Sequence, residues 1–202
     1  MSLEIYFKPI HPIEFSKNSI GSVVDSHVNS FPEWESSDIV FLTIHENRGS
    51  SVEKNNEIDH YSIRTKLYNF KWEGSLTISD LGILDAGSSL KDTYAALKEI
   101  TFEIQKKSKL LVLLGGSQDL TFANYLGYEQ LEQPINLTCI DHSFDVVVEQ
   151  EQEISDKNYI NHLLIHSPNN LFNFSILGCQ QYYVGSDDLR SVSYTHLTLP
   201  TI

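Results

Sequence analysis

Two short runs, Asp38-Ile-Val-Phe-Leu-Thr-Ile-His45 and Lys109-Leu-Leu-Val-Leu-Leu114, are apolar on successive residues and therefore on both faces of an extended chain. A strand of that kind needs cover on both sides, which helices packed above and below a parallel sheet provide. Between the two runs lies the clearest helix of the sequence. Ser89 is placed to cap its first turn, with Asp92 three residues on as a short-armed capping box. Leu90, Tyr94, Leu97, Ile100 and Ile104 then follow at steps of three and four, one continuous stripe. A weaker helix is expected over 59–70, with Ile63, Leu67 and Phe70 as its apolar positions.

After the second run the chain breaks at Gly115-Gly116, and the alternation continues: helix over 119–128, strand over 135–141 and helix over 158–166. Short strands follow at 174–178 and 182–184. Strand, helix, strand, helix with short connections predicts an α/β domain with a mainly parallel sheet between two helical layers. Residues 1–37, with Pro9, Pro12 and Pro32 and little periodicity, are expected to form an irregular arm over the domain at 38–190. Residues 191–202, ending Ser193-Tyr-Thr-His-Leu-Thr-Leu-Pro-Thr-Ile202, resemble a non-native tail and are set aside; the other reading is a Thr-rich edge strand. There is no internal repeat.

The chain has 202 residues with 27 acidic against 14 basic side chains, a net charge of −13. Such a surface repels phosphate backbones and anionic lipid, so nucleic-acid and membrane-surface roles are not expected. The one basic cluster, Lys106-Lys107-Ser108-Lys109, closes the long helix and complements its dipole. Cys139 and Cys179 stand 40 residues apart without metal-site spacing, which reads as two free thiols in a reducing compartment. With no leader-like start and no apolar run long enough to span a bilayer, a cytoplasmic location is expected.

Ligands of open α/β sheets sit beyond the carboxyl ends of the strands. Two such ends carry polar residues here. Gly115-Gly-Ser-Gln-Asp-Leu-Thr121 could be a phosphate-binding turn, but it lacks both GxGxxG and the P-loop lysine, and a plain tight turn explains it as well. In Asp141-His-Ser-Phe-Asp145, an extended chain would put Asp141, Ser143 and Asp145 on one face and turn His142 and Phe144 to the other. Two carboxylates there suit a hard divalent ion such as Mg²⁺ or Mn²⁺, and equally an Asp-rich turn capping the next element. His162 and His166 have the i, i+4 spacing of zinc ligands but no HExxH glutamate and no third partner. Glu149-Gln-Glu-Gln-Glu153 reads as a solvated loop, and Ser117 lacks the GxSxG setting of a nucleophile.

Strand–Gly-Gly–helix followed by strand–Asp-x-x-x-Asp resembles the arginase, agmatinase and formimidoylglutamase (ureohydrolase) superfamily. Ile44-His-Glu-Asn-Arg-Gly49, Ile63-Arg-Thr-Lys-Leu-Tyr68 and Asp80-Leu-Gly82 fit the same frame. Gly115–Thr121 and Phe172-Asn-Phe-Ser-Ile-Leu-Gly178 point to the formimidoylglutamase-like branch, over about residues 38 to 185. The resemblance implies a three-layer α/β/α fold, a two-manganese cluster activating a water, hydrolysis of a C–N bond in a small linear amidine or guanidine, and homo-oligomeric assembly. It also implies metal ligation by Asp141 and Asp145.

The departures are specific. The superfamily's Gly-Gly-Asp-His-Ser motif has its ligand histidine where this chain has Gln118, and the central histidine of Asp-Ala-His-x-Asp is Ser143. Nothing like the later Ser-x-Asp-x-Asp motif follows Asp145, so at most two of six expected ligand positions remain. No catalytic residue and no organic cofactor site can be named. The expectation is a ureohydrolase-type chain that is the front part of a larger domain and inactive as it stands. The alternatives are a non-catalytic ureohydrolase-fold binding or assembly module, and an unrelated doubly wound nucleotide-binding domain. An incomplete sheet would leave the 110–114 and 135–140 strands short of neighbours, and poor solubility is expected with it.

Overall fold

The computed structural model describes residues 2–51, 59–146, 153–180 and 182. The expected tail at 191–202 and most of the acidic run at 149–153 lie outside the described residues, as do 183 and 184 of the expected fifth strand. The architecture is mixed α/β with a mainly parallel sheet. At its centre is β3 (Ile39–His45), paired in parallel with β4 (Ile78–Asp85) on one side and β5 (Leu110–Leu114) on the other. The segment 1–37, expected as an irregular arm, supplies two short strands to the far edge of β4. There, β2 (Val24–Ser26) runs parallel to Ile78–Asp80, and β1 (Phe7–Lys8) runs antiparallel to Ile83 and Leu84. A second, two-stranded parallel sheet pairs β6 (Ile135–Ile140) with β7 (Leu171–Leu177).

The alternation along β3 decides which helix covers which face. Val40, Leu42 and Ile44 point into the main core, where they meet α2 (Leu90–Lys106) through Leu97, Ile100 and Ile104, all 0% exposed. The expected capping box is present: Ser89 accepts from the Asp92 amide and the Asp92 carboxylate accepts from the Ser89 amide. On that side α3 (Leu120–Glu129) adds Leu120 and Ala123 to the same core. Phe41 and Thr43 point the other way, toward α1 (His60–Tyr68).

That second face is polar, and here the expectation for α1 fails. Ile63 and Leu67 are only half-buried and Phe70 is 61% exposed, whereas His60, Arg64 and Tyr68 are buried. Arg64 donates from Nε to Asp80 Oδ2 (2.7 Å) and from Nη2 to Asp80 Oδ1 (3.0 Å) and the Gly82 carbonyl (2.8 Å). Its Nη1 donates to Thr43 Oγ1 (3.0 Å), the Tyr68 hydroxyl donates to Asp80 Oδ2 (2.6 Å), and the guanidinium lies 5.3 Å from the centre of the Phe41 ring. Sequence reading also missed β4, because its Ser79, Asp80 and Gly82 interrupt the apolar pattern. Gly82 is required: its φ of +97° suits glycine, and a Cβ would collide with the Lys8 carbonyl of β1.

The 110–114 run is a strand, but it is not buried on both faces. Among the described residues it is an edge of the main sheet, with Leu110 60% and Val112 39% exposed, while Leu111 and Leu113 pack on the core. Among the described residues β5 and β6 do not pair, although only α3 separates them in the chain. β6 and β7 have their own core with α4 (Tyr159–Ile165), made of Phe144, Val146, Tyr159, Ile160, Phe174 and Ile176.

Candidate functional site

Parallel β3 and β5 bring their carboxyl ends to one rim of the main sheet, where Glu46 follows β3 and the Gly115-Gly116 turn follows β5 with φ of +87° and +77°. Asp141 follows β6 of the second sheet and is joined to this rim through Gln118. The rim is cross-linked. The Ser117 amide donates to the Glu46 carbonyl (3.0 Å), and the Asp156 amide donates to the Gly49 carbonyl (3.0 Å). Asp156 in turn accepts from the Ser51 amide (3.0 Å) and the Ser50 hydroxyl (3.2 Å). The loop after β3 is thereby tied both to the β5–α3 turn and to the turn that opens α4.

Two buried carboxylates on this rim were not singled out as site residues by the sequence. Glu46, 1% exposed, accepts from Arg48 at its backbone N (2.9 Å), Nε (2.9 Å) and Nη2 (2.5 Å), and from Thr93 Oγ1 (2.7 Å). Burial pushes its carboxyl up, but Arg48 and Thr93 outweigh that and hold it below the ordinary value. Asp119 is 0% exposed; the Tyr94 hydroxyl donates to its Oδ2, and Oδ1 has no hydrogen-bond partner. Its carboxyl is pushed up by burial. Gly49 packs against that carboxyl so closely that a Cβ would overlap it.

The second strand end carries the residues the sequence singled out. The strand stops at Ile140 and the chain bends at His142 and Ser143, so strict alternation does not sort their side chains. His142 does not turn away: its Nδ1 lies 2.9 Å from Asp141 Oδ1. Asp141 Oδ1 also accepts from the His142 amide (2.6 Å) and more weakly from the Ser143 amide (3.3 Å), while Oδ2 accepts from Gln118 Nε2 (2.7 Å). Burial raises the Asp141 carboxyl, and these hydrogen bonds outweigh it and leave it below its usual value.

Asp145 sits in the left-handed region at φ +44°, a conformation aspartate tolerates better than most residues. Its Oδ1 accepts from Ser143 Oγ (2.9 Å) with Lys157 Nζ at 3.9 Å, while Oδ2 is buried with no hydrogen-bond partner. Burial raises this carboxyl, and Ser143 and Lys157 offset only part of the rise. Gln118, Asp141, His142, Ser143 and Lys157 together line an open cavity of about 440 Å³. Among the described residues no three His, Cys, Asp or Glu side chains converge to hold a metal ion.

The other candidates have structural partners. His166 Nε2 lies 2.9 Å from Glu129 Oε2, and its ring stands edge-on to Phe122 and Tyr125. His162 stands edge-on to the same Phe122. Ser117 Oγ is buried without a hydrogen-bond partner, Lys107 pairs with Glu35 at 2.8 Å, and both cysteines are free thiols raised by burial.

No protein-family model and no curated protein matches the chain. Solved structures do. A formiminoglutamase from Trypanosoma cruzi with Mn²⁺ superposes with a TM-score of 0.71 at 18% identity, covering 84% of this chain and 62% of that one. An arginase-superfamily protein from the same organism gives 0.73 at 18%, covering 90% and 63%. The formimidoylglutamase of Bacillus subtilis gives 0.76 at 11%, covering 91% and 59%. At these identities the fold is what is shared: the chain has the fold of the arginase superfamily and spans about three fifths of the length of these structures.

Proposed function

We propose that this arginase-fold chain is a ureohydrolase-type protein allied to the formimidoylglutamases, whose reaction is metal-assisted hydrolysis of a C–N bond in a linear amidine, and that the chain itself does not carry out that reaction. The observation that supports this reading is the use of donors at the β6 strand end. A manganese centre there would need several oxygen and imidazole lone pairs aimed at a common point. Gln118 instead directs N–H at Asp141, Ser143 spends its hydroxyl hydrogen on Asp145, and His142 is held against Asp141. An amide N–H and an alcohol are no substitutes for imidazole toward Mn²⁺, so the donor set at Asp141 and Asp145 does not fit a two-metal cluster. Without two ions held together, nothing lowers the pKa of a water enough to make it a nucleophile at neutral pH.

The same reading makes a small amidine or guanidine the substrate class of the chain's active relatives, and puts the protein in the cytoplasm, away from nucleic acid and membranes. No helix among the described residues is long and apolar enough to cross a membrane. A binding or assembly role, with homo-oligomers as one form of it, is favoured by one further observation: among the described residues β5 is an apolar sheet edge. The test is direct. Purified chain is incubated with Mn²⁺ and assayed for ammonia release from formiminoglutamate and for hydrolysis of agmatine and arginine. Turnover no higher than the metal-only control is expected, and turnover proportional to protein concentration would overturn the proposal.

A further inference from the structure

The β6 strand end holds two carboxylates with side chains 7% and 2% exposed, Asp141 and Asp145. Charges that secluded need a counter-charge or a full set of donors. Asp141 has donors at both oxygens. Among the described residues Asp145 has the Ser143 hydroxyl as its donor, an unpartnered Oδ2, and one cation within reach, Lys157, whose Nζ lies 3.9 Å from Oδ1. Lys157 is no casual surface lysine. It sits in the turn that opens α4, where the Ser155 amide donates to Asn158 Oδ1 (2.8 Å) and the Tyr159 amide donates to the Ser155 carbonyl (3.0 Å). Its neighbour Asp156 is fastened to Ser50 and Ser51. The backbone from which Lys157 reaches is therefore fixed, while its half-exposed side chain extends to the wall of the cavity that Gln118, Asp141, His142 and Ser143 also line.

We propose that Lys157 is the resident cation of this site, offsetting the charge of Asp145, while Gln118 and Ser143 supply hydrogen bonds to Asp141 and Asp145, all without a metal ion. The proposal rests on the reading that the chain lacks a working metal centre and goes beyond it. The two histidines are not merely missing; a cation already stands beside Asp145. A divalent ion approaching Asp145 would meet an ammonium beside the same oxygen, and at that separation the repulsion between them is substantial even with partial solvent screening. Restoring the imidazoles would not by itself restore binding.

Four proteins test this: wild type, K157M, Q118H/S143H, and Q118H/S143H/K157M, each titrated with Mn²⁺ and followed by the loss of the free-ion signal in electron paramagnetic resonance. Wild type and Q118H/S143H should leave the ion free, and the triple variant should bind at least about tenfold more tightly than Q118H/S143H. Equal binding by the double and triple variants overturns the assignment of Lys157 while leaving the functional proposal standing. Ammonia release by wild type overturns the functional proposal, and tight Mn²⁺ binding by wild type overturns both. Should the triple variant fail to fold, urea unfolding of wild type, K157R and K157M decides. K157R should keep the wild-type midpoint and K157M should lower it, by less in 1 M NaCl than at low salt. A K157M midpoint equal to wild type at low salt refutes the proposal.

Discussion

Replacing Arg64 by methionine keeps most of the side-chain volume and removes only the guanidinium. In the folded protein that group is 1% exposed, makes four hydrogen bonds and faces a carboxylate that is 0% exposed. The variant leaves Asp80 with the Tyr68 hydroxyl and the Gly82 amide as its donors, and a charge still buried between α1 and the sheet. Thr43 keeps its hydroxyl contact to the Gly82 carbonyl at 3.4 Å, so the loss centres on Asp80. Removing one partner of a buried pair costs about 3–5 kcal/mol, because the survivor keeps its desolvation penalty. For a domain of this size that is a fall of about 10 °C in melting temperature, and a large fraction of a typical total stability. Urea unfolding followed by circular dichroism, with the R64M/D80L double variant as control, measures it. The double variant should recover much of the loss, since an apolar pair leaves no buried charge behind. A midpoint for R64M within error of wild type would refute the claim that this pair fastens α1 to the sheet.

Three further outcomes follow from the same contacts. His60 is buried with neither ring nitrogen hydrogen-bonded, and burial lowers its pKa to about 4 from an unfolded value near 6.5. The unfolded chain therefore binds the proton first, so stability should fall as pH drops from about 6.5 toward 4, and H60L should flatten that part of the melting-temperature profile. Asp119 has the opposite sign: its raised carboxyl takes up its proton more readily in the folded state, so its contribution weakens as pH rises above the unfolded value near 3.9. D119N should narrow the difference between urea midpoints at pH 5 and pH 7.5. Finally, G82A would place a Cβ against the Lys8 carbonyl at a φ of +97°, costing about 1–3 kcal/mol and exposing the β1–β4 amides to hydrogen exchange before the rest of the sheet.

Elements whose burial is apolar were legible in the sequence. The Ser89–Asp92 box, the Leu97–Ile100–Ile104 stripe and the β3 run needed only hydropathy and spacing, and each forms where expected. Hydropathy could not reveal burial that depends on pairing. β4 hides Ser79 against Ser37 (2.7 Å) and Asp80 against Arg64, and α1 turns its polar His60, Arg64 and Tyr68 inward rather than Ile63, Leu67 and Phe70. Ser79, Asp80, Arg64 and Tyr68 each read as exposed until the partner, 12 to 42 positions away, is known. For β5 the error ran the other way. An apolar run says what a strand could bury, not how many neighbours it has, and among the described residues β5 has one.

The two edges of the main sheet are treated differently, and that difference bears on assembly. The β4 edge is closed by two short strands of the N-terminal segment, one for each half of its length. The β5 edge carries Leu-Leu-Val-Leu-Leu with no charged residue or proline inside it, the composition that sheet edges ordinarily avoid because it invites another strand to pair. Changing the two outward positions to lysine, L110K/V112K, leaves the inward Leu111 and Leu113 in the core and should turn an adhesive edge into a repelling one. The chain's net charge of −13 opposes association in general but places no charge on this strand, so its protection there is weak. Sedimentation velocity at several concentrations reads the effect: the parent chain should shift toward larger species as concentration rises, and the variant should not. A parent chain that stays monomeric at every concentration would mean that the edge is closed in solution and that apolar exposure along β5 does not drive association.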